Sequence, residues 1–223
     1  MVQKQDIYSY GWNHFGDVWA YTNLLLRISE TSGKPAKVGI ENQKIRKTIS
    51  QIRPFLKSKG EIVFTNRRAN INCNYCDAYN IKFMPSVRTW NYKRSLKSKI
   101  IAYQFDGNHL GEQKNLPWDK IQFLFNSLKK MGYQPVNVGG YKKMSFIINT
   151  LSNCKFFVGC PSGLSVVARS VDCPTNLITW KLEQSMIYVL KTCQCPTGKF
   201  FPTVKEFLSF TKTKLKERLI TLL

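Results

Sequence analysis

Between Asn153 and Trp180 the chain reads NCKFFVGCPSGLSVVARSVDCPTNLITW, and this stretch limits the fold more than any other. Lys155 to Val158 is an apolar run of strand length, and Gly159 to Gly163 then gathers glycine, proline and serine, a cluster that ends a strand and turns the chain. Val166, Val167, Ser170 and Val171 follow at helical spacing from Leu164. Pro174 stops that helix, and Leu177 to Thr179 starts a second buried strand. The order predicts a βαβ unit, and with it a parallel sheet crossed over in the right-handed sense. The backbone amides of Ser162, Gly163, Leu164 and Ser165 fall in the first helical turn, unpaired within the helix, where the dipole also favours an anion. A phosphate suits that position.

A chain of 223 residues is long enough for one ordinary domain or two small ones, and 43% hydrophobic with 13% aromatic residues supplies the core. No run approaches the roughly 20 apolar residues of a membrane span, and the start, MVQKQDIYSYGW, lacks the apolar centre of a signal peptide. A soluble, cytoplasmic monomer is the expectation. Seven cysteines make an odd number with no secreted disulfide spacing, which fits a reducing compartment. Cys73 and Cys76 have zinc-like spacing, but Cys193 and Cys195 are one residue too close, and neither His14 nor His109 stands at ligand spacing. The expectation is no metal site and buried free thiols.

Charge is the strongest signal in the composition. Lys and Arg number 34 against 13 Asp and Glu, a formal charge of +21. The excess is not a tail: 16 basic against 6 acidic residues run to Ser95, and 18 against 7 follow. Such a field gathers polyanions and anionic substrates, although a solvated basic face would read the same way.

The order of elements repeats the βαβ theme. Asp6 to Tyr10 reads as a strand, and Gly11 to Gly16 as a loop holding Trp12, His14 and Phe15. Asp17 opens a helix with Val18, Tyr21, Leu24, Leu25 and Ile28 on one face, and Lys37 to Ile40 is the next strand. Gln43 to Lys59 is a basic helix that Pro54 kinks or splits. Glu61 to Thr65 is a strand, Asn66 to Asn74 a polar loop with Arg67 and Arg68, and Tyr79 to Met84 a further short strand. Val87 to Lys99 interleaves Trp90 and Tyr92 with cations that include Lys93 and Arg94, which suits phosphates and stacked bases as well as it suits a linker. Ile100 to Phe105 restarts the strand pattern and marks a second domain. A loop with Lys114, a helix over Trp118 to Met131, a strand over Pro135 to Val138, Gly139-Gly140 and a helix over Lys142 to Ser152 lead into the stretch described first. Leu182 to Leu190 and Val204 to Leu223 are the closing helices. The boundaries predicted are residues 1–96, an acceptor domain, residues 97–202, a nucleotide-sugar domain, and residues 203–223, a helix that packs back on the first domain.

These motifs, taken in order, resemble the heptosyltransferase-like glycosyltransferases. The strand, G-x-x-S-G turn and helix at Gly159 to Ser165 are similar to that family's donor-binding segment, with Pro161 where the family has Asp and Ser165 or Val166 near the place of its His. Gly16-Asp17 before L-L-L-R is similar to its N-terminal G-D segment, and the loop with Lys114, the tryptophan helix and Gly139-Gly140 follow its C-terminal domain. The resemblance implies an α/β, GT-B-like fold, two small Rossmann-like domains facing a central cleft. It implies Asp17 as the base that deprotonates the acceptor hydroxyl, although Asp is also a favoured helix cap. It implies donor contacts from Lys114, Gly139, Gly140, Ser162, Gly163, Leu164 and Ser165, with a nucleotide-diphosphate sugar as donor, a UDP-sugar favoured, and no cofactor.

G-C-P-S-G is not the nucleophile elbow G-x-S-x-G, and the chain holds neither a P-loop nor a D-x-D triplet for a divalent metal. Metal-independent transfer is therefore expected, with helix amides and cations such as Lys114, Lys142 and Lys143 stabilising the leaving diphosphate. For the acceptor, the basic excess suggests double-stranded DNA carrying hydroxymethylated cytosine, as in phage enzymes that glycosylate their own genomes, with Trp12, His14, Phe15, Arg67, Arg68, Trp90, Lys93 and Arg94 as acceptor-binding residues. The alternatives are a bacterial surface glycan of the lipopolysaccharide type and, in another class, a non-catalytic basic nucleic-acid-binding protein on a degenerate GT-B-like fold.

Overall fold

In the computed structural model, residues 6–10, 15–56, 58–72, 98–106, 116–140, 142–171, 173–178 and 198–220 are described. The chain divides into two compact units, Met1–Tyr92 with Thr192–Gln194, and Lys93–Lys191 with Cys195–Leu223. Each is built on a parallel sheet.

In the first unit the strands are β1 (Ile7–Ser9), β2 (Ala36–Val38), β3 (Ile62–Phe64) and β4 (Ile71–Asn72), in the order β3-β2-β1-β4. Helix α1 (Phe15–Ser32) joins β1 to β2. The sequence predicted one buried face for α1, but every residue from Gly16 to Leu26 is buried, while Ile28 is only half-buried. Trp19, Tyr21, Leu25 and Leu26 are almost wholly enclosed. Two polar residues survive there because they bond to their own helix: the Thr22 hydroxyl donates to Val18 O at 2.5 Å and the Asn23 amide to Trp19 O at 3.2 Å.

The long basic helix expected from Gln43 is broken. A 3₁₀ turn over Ile40–Ile45 leads into α2 (Arg46–Ile52), and a second 3₁₀ turn, Arg53–Phe55, takes over where Pro54 removes a backbone donor. Arg53 then fixes the exit, its guanidinium donating to Leu56 O, Ser58 O and Gly60 O at 3.1, 2.7 and 3.1 Å. Nearby, Glu30 accepts from the Ser58 hydroxyl at 2.8 Å and the Lys59 N–H at 2.7 Å. The Ser58 bond does most to lower this carboxyl below its ordinary 4.5; burial opposes it, and the Lys59 N–H and the Arg27 charge add to the lowering. A depressed carboxylate stabilises the fold above its unfolded pKa and loses that contribution as pH falls through the folded value. Glu30→Gln is accordingly expected to be less stable than the parent at neutral pH, with the gap closing as pH drops below about 4.5 in paired denaturant titrations. A gap that stays constant with pH would contradict it.

The polar loop expected over Asn66 to Asn74 contains a strand instead. Asn70 and Asn72 make β4 possible: Asn70 Oδ1 accepts the Ile7 N–H at 2.7 Å, and Asn72 Oδ1 accepts the Ser9 hydroxyl at 2.5 Å. Two asparagines thus dock a two-residue strand whose sequence carries little strand signal.

In the second unit β5 (Ile100–Gln104), β6 (Gln134–Asn137), β7 (Phe156–Gly159), β8 (Thr175–Ile178) and β9 (Gly198–Phe201) lie in the order β6-β5-β7-β8-β9, all parallel. Strand β9 was not expected. Helices α3 (Trp118–Lys130), α4 (Met144–Asn153) and α5 (Gly163–Ser170) make the crossovers β5 to β6, β6 to β7 and β7 to β8. Side chains alternate across a strand: Ile101, Phe105, Phe156, Val158, Ile178 and Phe201 enter one core with Leu124 and Leu128 of α3 and with Val204, Phe207 and Leu208 of α6 (Val204–Ile220). The first half of the closing helix is therefore core of the second unit. Helix α3 stops as its sequence predicts, with Lys129 and Lys130 in the last turn and Gly132 beyond at φ 81°. Tyr133 N–H reaches Leu128 O at 3.0 Å and Gly132 N–H reaches Lys129 O at 2.9 Å, a Schellman cap. The expected strand at Tyr79 to Met84 and helix at Leu182 to Leu190 lie outside the described residues. Among the described residues, no helix is long and apolar enough to cross a membrane.

Candidate functional site

Parallel sheets present their ligand positions beyond the carboxyl ends of their strands. In the second unit that edge is formed by Gln104 at the end of β5 and Asp106 beyond it, Gly139 and Gly140 after β6, and Cys160 to Ser162 after β7. β7 can lie against β5 here because residue 159 is glycine: a Cβ on it would collide with Gln104 O and stand 2.9 Å from the Phe157 ring. The ladder continues one residue past the strand, the Cys160 N–H donating to Gln104 O at 3.1 Å.

The turn itself is held by side chains. The Ser162 hydroxyl donates to Gln104 Oε1 at 2.5 Å, and Gln104, only 9% exposed, donates its Nε2 to Asp106 O at 3.2 Å. Both of its amide ends are engaged, so the glutamine has one orientation. Ser165 closes the other side: its hydroxyl donates to Ser162 O at 2.6 Å, its N–H to the same oxygen at 3.1 Å, and its Oγ accepts the Ser162 N–H at 3.4 Å. Ser165 is therefore committed to shaping the turn. Leu164 is buried, while Ser162 and Gly163 are half-exposed at the helix start. Gly163 and Leu164 occupy the first two helical positions, whose amides have no intrahelical acceptor.

β6 ends in a matching bend. The Gly139 N–H donates to Asn137 Oδ1 at 2.8 Å, a Cβ at Gly139 would strike the Asp106 carboxylate, and Gly140 takes φ 69°. Lys142 and Lys143 follow, both exposed, immediately before α4. The edge thus combines helix-start amides, small residues and two cations with the Asp106 carboxylate. Gln104 is the residue sequence reading missed, since nothing local distinguishes it from any other strand polar residue.

In the first unit the equivalent edge holds Asp17. It is the third residue of α1, inside the helix, and so is not its N-cap. It is 9% exposed, in the first turn of the helix that follows β1 in the chain. Phe15, half-buried, lies 5.8 Å from the Trp19 ring. Tyr10 N–H donates to Asn42 Oδ1 at 3.1 Å, and the Tyr10 hydroxyl lies 3.2 Å from Thr22 Oγ1. Arg67 and Arg68 are exposed on the link from β3 to β4, which runs past the end of β2: Ile40 N–H donates to Arg67 O at 3.0 Å and Ala69 N–H to Glu41 Oε1 at 3.1 Å. Lys114, Trp12, His14, Trp90, Lys93 and Arg94 lie outside the described residues. Among the described residues no three His, Cys, Asp or Glu side chains gather as a metal site.

No family model and no curated protein sequence matches this chain. Solved structures match its fold. The E. coli ADP-heptose LPS heptosyltransferase II is 10% identical with a TM-score of 0.54, over 96% of this chain and 99% of that one. The E. coli heptosyltransferase WaaC, solved with ADP-2-deoxy-2-fluoro heptose, is 10% identical with a TM-score of 0.52, over 96% and 100%. The bacterial iron-containing dodecameric glycosyltransferase TibC from enterotoxigenic E. coli is 14% identical with a TM-score of 0.52 over 79% of this chain, which spans 59% of TibC. This chain therefore has the mixed α/β architecture, with two parallel sheets, of the GT-B-like heptosyltransferase structures.

Proposed function

We propose that this protein is a glycosyltransferase that moves a sugar from a nucleotide-diphosphate donor to a hydroxyl on a polyanionic glycan. The observation that carries the reading is the Gly159 to Ser165 turn, pinned by Gln104 and Ser165 at the carboxyl edge of a parallel sheet in a fold like that of ADP-heptose transferases. In this reading the Gly163 and Leu164 amides receive a diphosphate oxygen, with Lys142, Lys143 and Lys114 offsetting the charge that builds on the leaving group. Asp17 takes the proton of the attacking hydroxyl as the sugar carbon becomes electron-poor. The chemistry asks for no metal, since the chain has no D-x-D triplet and the charge is met by amides and ammonium groups.

The glycan is preferred as acceptor because the compared structures include a lipopolysaccharide heptosyltransferase, and a phosphorylated glycan core suits a surplus of +21. The same surplus favours a second reading, transfer to hydroxymethylated DNA. One assay separates them: nucleotide release from ADP-heptose and from UDP-sugars, each with a lipopolysaccharide-type acceptor or with hydroxymethylcytosine DNA, in excess chelator. Release with the glycan alone supports the first reading and with DNA alone the second; release that stops in chelator refutes metal independence. No release with any pair, and no thermal shift with any donor, would leave a basic protein on a transferase fold. A true donor at a hundred times its Kd adds about 2.7 kcal/mol to stability.

Gln104 gives a finer test. Gln104→Glu keeps an acceptor for the Ser162 hydroxyl but sets a negative charge against the turn. Affinity for the nucleotide diphosphate is expected to fall roughly tenfold or more by calorimetry, and Tm to fall as well, because the Nε2 bond to Asp106 O is lost and a carboxylate is buried. Unchanged affinity would place the diphosphate elsewhere.

A further inference from the structure

At the end of β7 and β8 opposite the Gly159 to Ser165 turn, two thiols meet. Cys154 follows α4 and leads into β7; Cys173 leads into β8. Their sulfurs are 3.3 Å apart, and both residues are 0% exposed. The backbone around them is already paired: Phe157 N–H donates to Pro174 O at 2.8 Å, and Phe157 stands opposite Thr175 in the parallel ladder. A disulfide needs its sulfurs at roughly 2.05 Å, so the pair must close by about 1.2 Å, a movement for side chains and not for strands. Among the described residues a further buried cysteine, Cys160, sits at the far end of β7.

We propose that Cys154 and Cys173 form a convertible dithiol pair, oxidised to an intrachain disulfide by exchange with a small-molecule disulfide such as oxidised glutathione. One cysteine thiolate attacks a sulfur of the small disulfide, breaking its S–S bond and releasing one small thiol, which takes up a proton. The second cysteine thiolate then attacks the protein sulfur of the mixed disulfide and releases the second small thiol. Two protein thiols are oxidised while one small disulfide is reduced, and no metal or further oxidant is needed. Packing shields both sulfurs from a dissolved disulfide. Exchange therefore proceeds while the 154–173 segment is open, either during folding or in a local unfolding event.

The ring so closed contains β7, the turn and α5. It restricts the unfolded chain over that whole segment and leaves the folded one nearly as it is. The inference rests on the thiol geometry alone, and its failure would leave the transferase reading untouched.

The test refolds the full chain in reduced or in oxidised glutathione, alkylates free thiols, and maps tryptic peptides. Cleavage after Lys143, Lys155, Arg169 and Lys181 puts Cys154, Cys160 and Cys173 on three separate peptides. The oxidised sample is expected to yield the 144–155 peptide joined to the 170–181 peptide, with Tm raised by roughly 5 °C or more. Cys160→Ser is expected to keep this cross-link. Cys173→Ser, or Cys154→Ala if the first variant does not fold, is expected to lose both the joined peptides and the difference in Tm. Complete alkylation of Cys154 and Cys173 in the oxidised sample, or either one joined to a different cysteine, would overturn the proposal.

Discussion

Gly159→Val is expected to cost about 3 kcal/mol or more and to remove donor binding at the same time. The first carbon of the new side chain falls on the Gln104 carbonyl, a backbone atom of the neighbouring strand, with the Phe157 ring 2.9 Å away. Neither can move cheaply: Gly159 is flanked by Gln104 on β5 and Leu177 on β8, in the middle of a five-stranded sheet. Overpacking a well-filled core typically costs 1–3 kcal/mol, and here the sheet must also open where the Cys160 N–H meets Gln104 O. Because the Gln104 side chain also carries Ser162, that displacement passes directly to the turn. Urea denaturation and donor titration on one preparation measure both effects. A variant of wild-type stability would show that β5 and β7 are not packed as closely as described.

Asp17→Asn is expected to lower kcat by about 10²-fold to 10⁴-fold, the usual contribution of a general base, while donor Kd changes by less than about twofold. The substitution keeps the size of the side chain and removes its charge. Two explanations of Asp17 are separated this way. As an anion favoured by the α1 dipole it contributes roughly 0.3–1 kcal/mol to stability and nothing to turnover. As the base it affects turnover far more than folding. Equal kcat in both proteins, with a lowered Tm in the variant, would return Asp17 to a purely structural role.

The elements most legible in the sequence were those with purely local causes. Helix α3 begins after Pro117 and ends at Gly132, and its lysines, glycine and apolar spacing all lie within fifteen residues of one another. The β7-α5-β8 unit was legible for the same reason, a short apolar run, a glycine and proline turn, and a proline stop. Strand β4 was not. Ile71 and Asn72 are too short for a pattern, and they become a strand because Asn70 and Asn72 bond to Ile7 and Ser9, 63 residues earlier. Helix α1 was half legible: its apolar residues announced a helix, but its enclosure on all sides depends on what the rest of the unit lays against it. In the site, the glycines and Ser162 stood out by residue type, whereas Gln104 did not.

The amino-acid order was enough to place the βαβ units around α1, α3 and α5 and to make both sheets parallel, because period, turn chemistry and crossover handedness are set within a few tens of residues. Only the tertiary structure decided that Gln104 carries Ser162 across 58 positions, that Cys154 and Cys173 touch across 19, and that β9 completes the second sheet. Those contacts join residues whose neighbours in sequence carry no trace of one another, because burial favours pairing polar groups and strand edges wherever the chain has brought a partner.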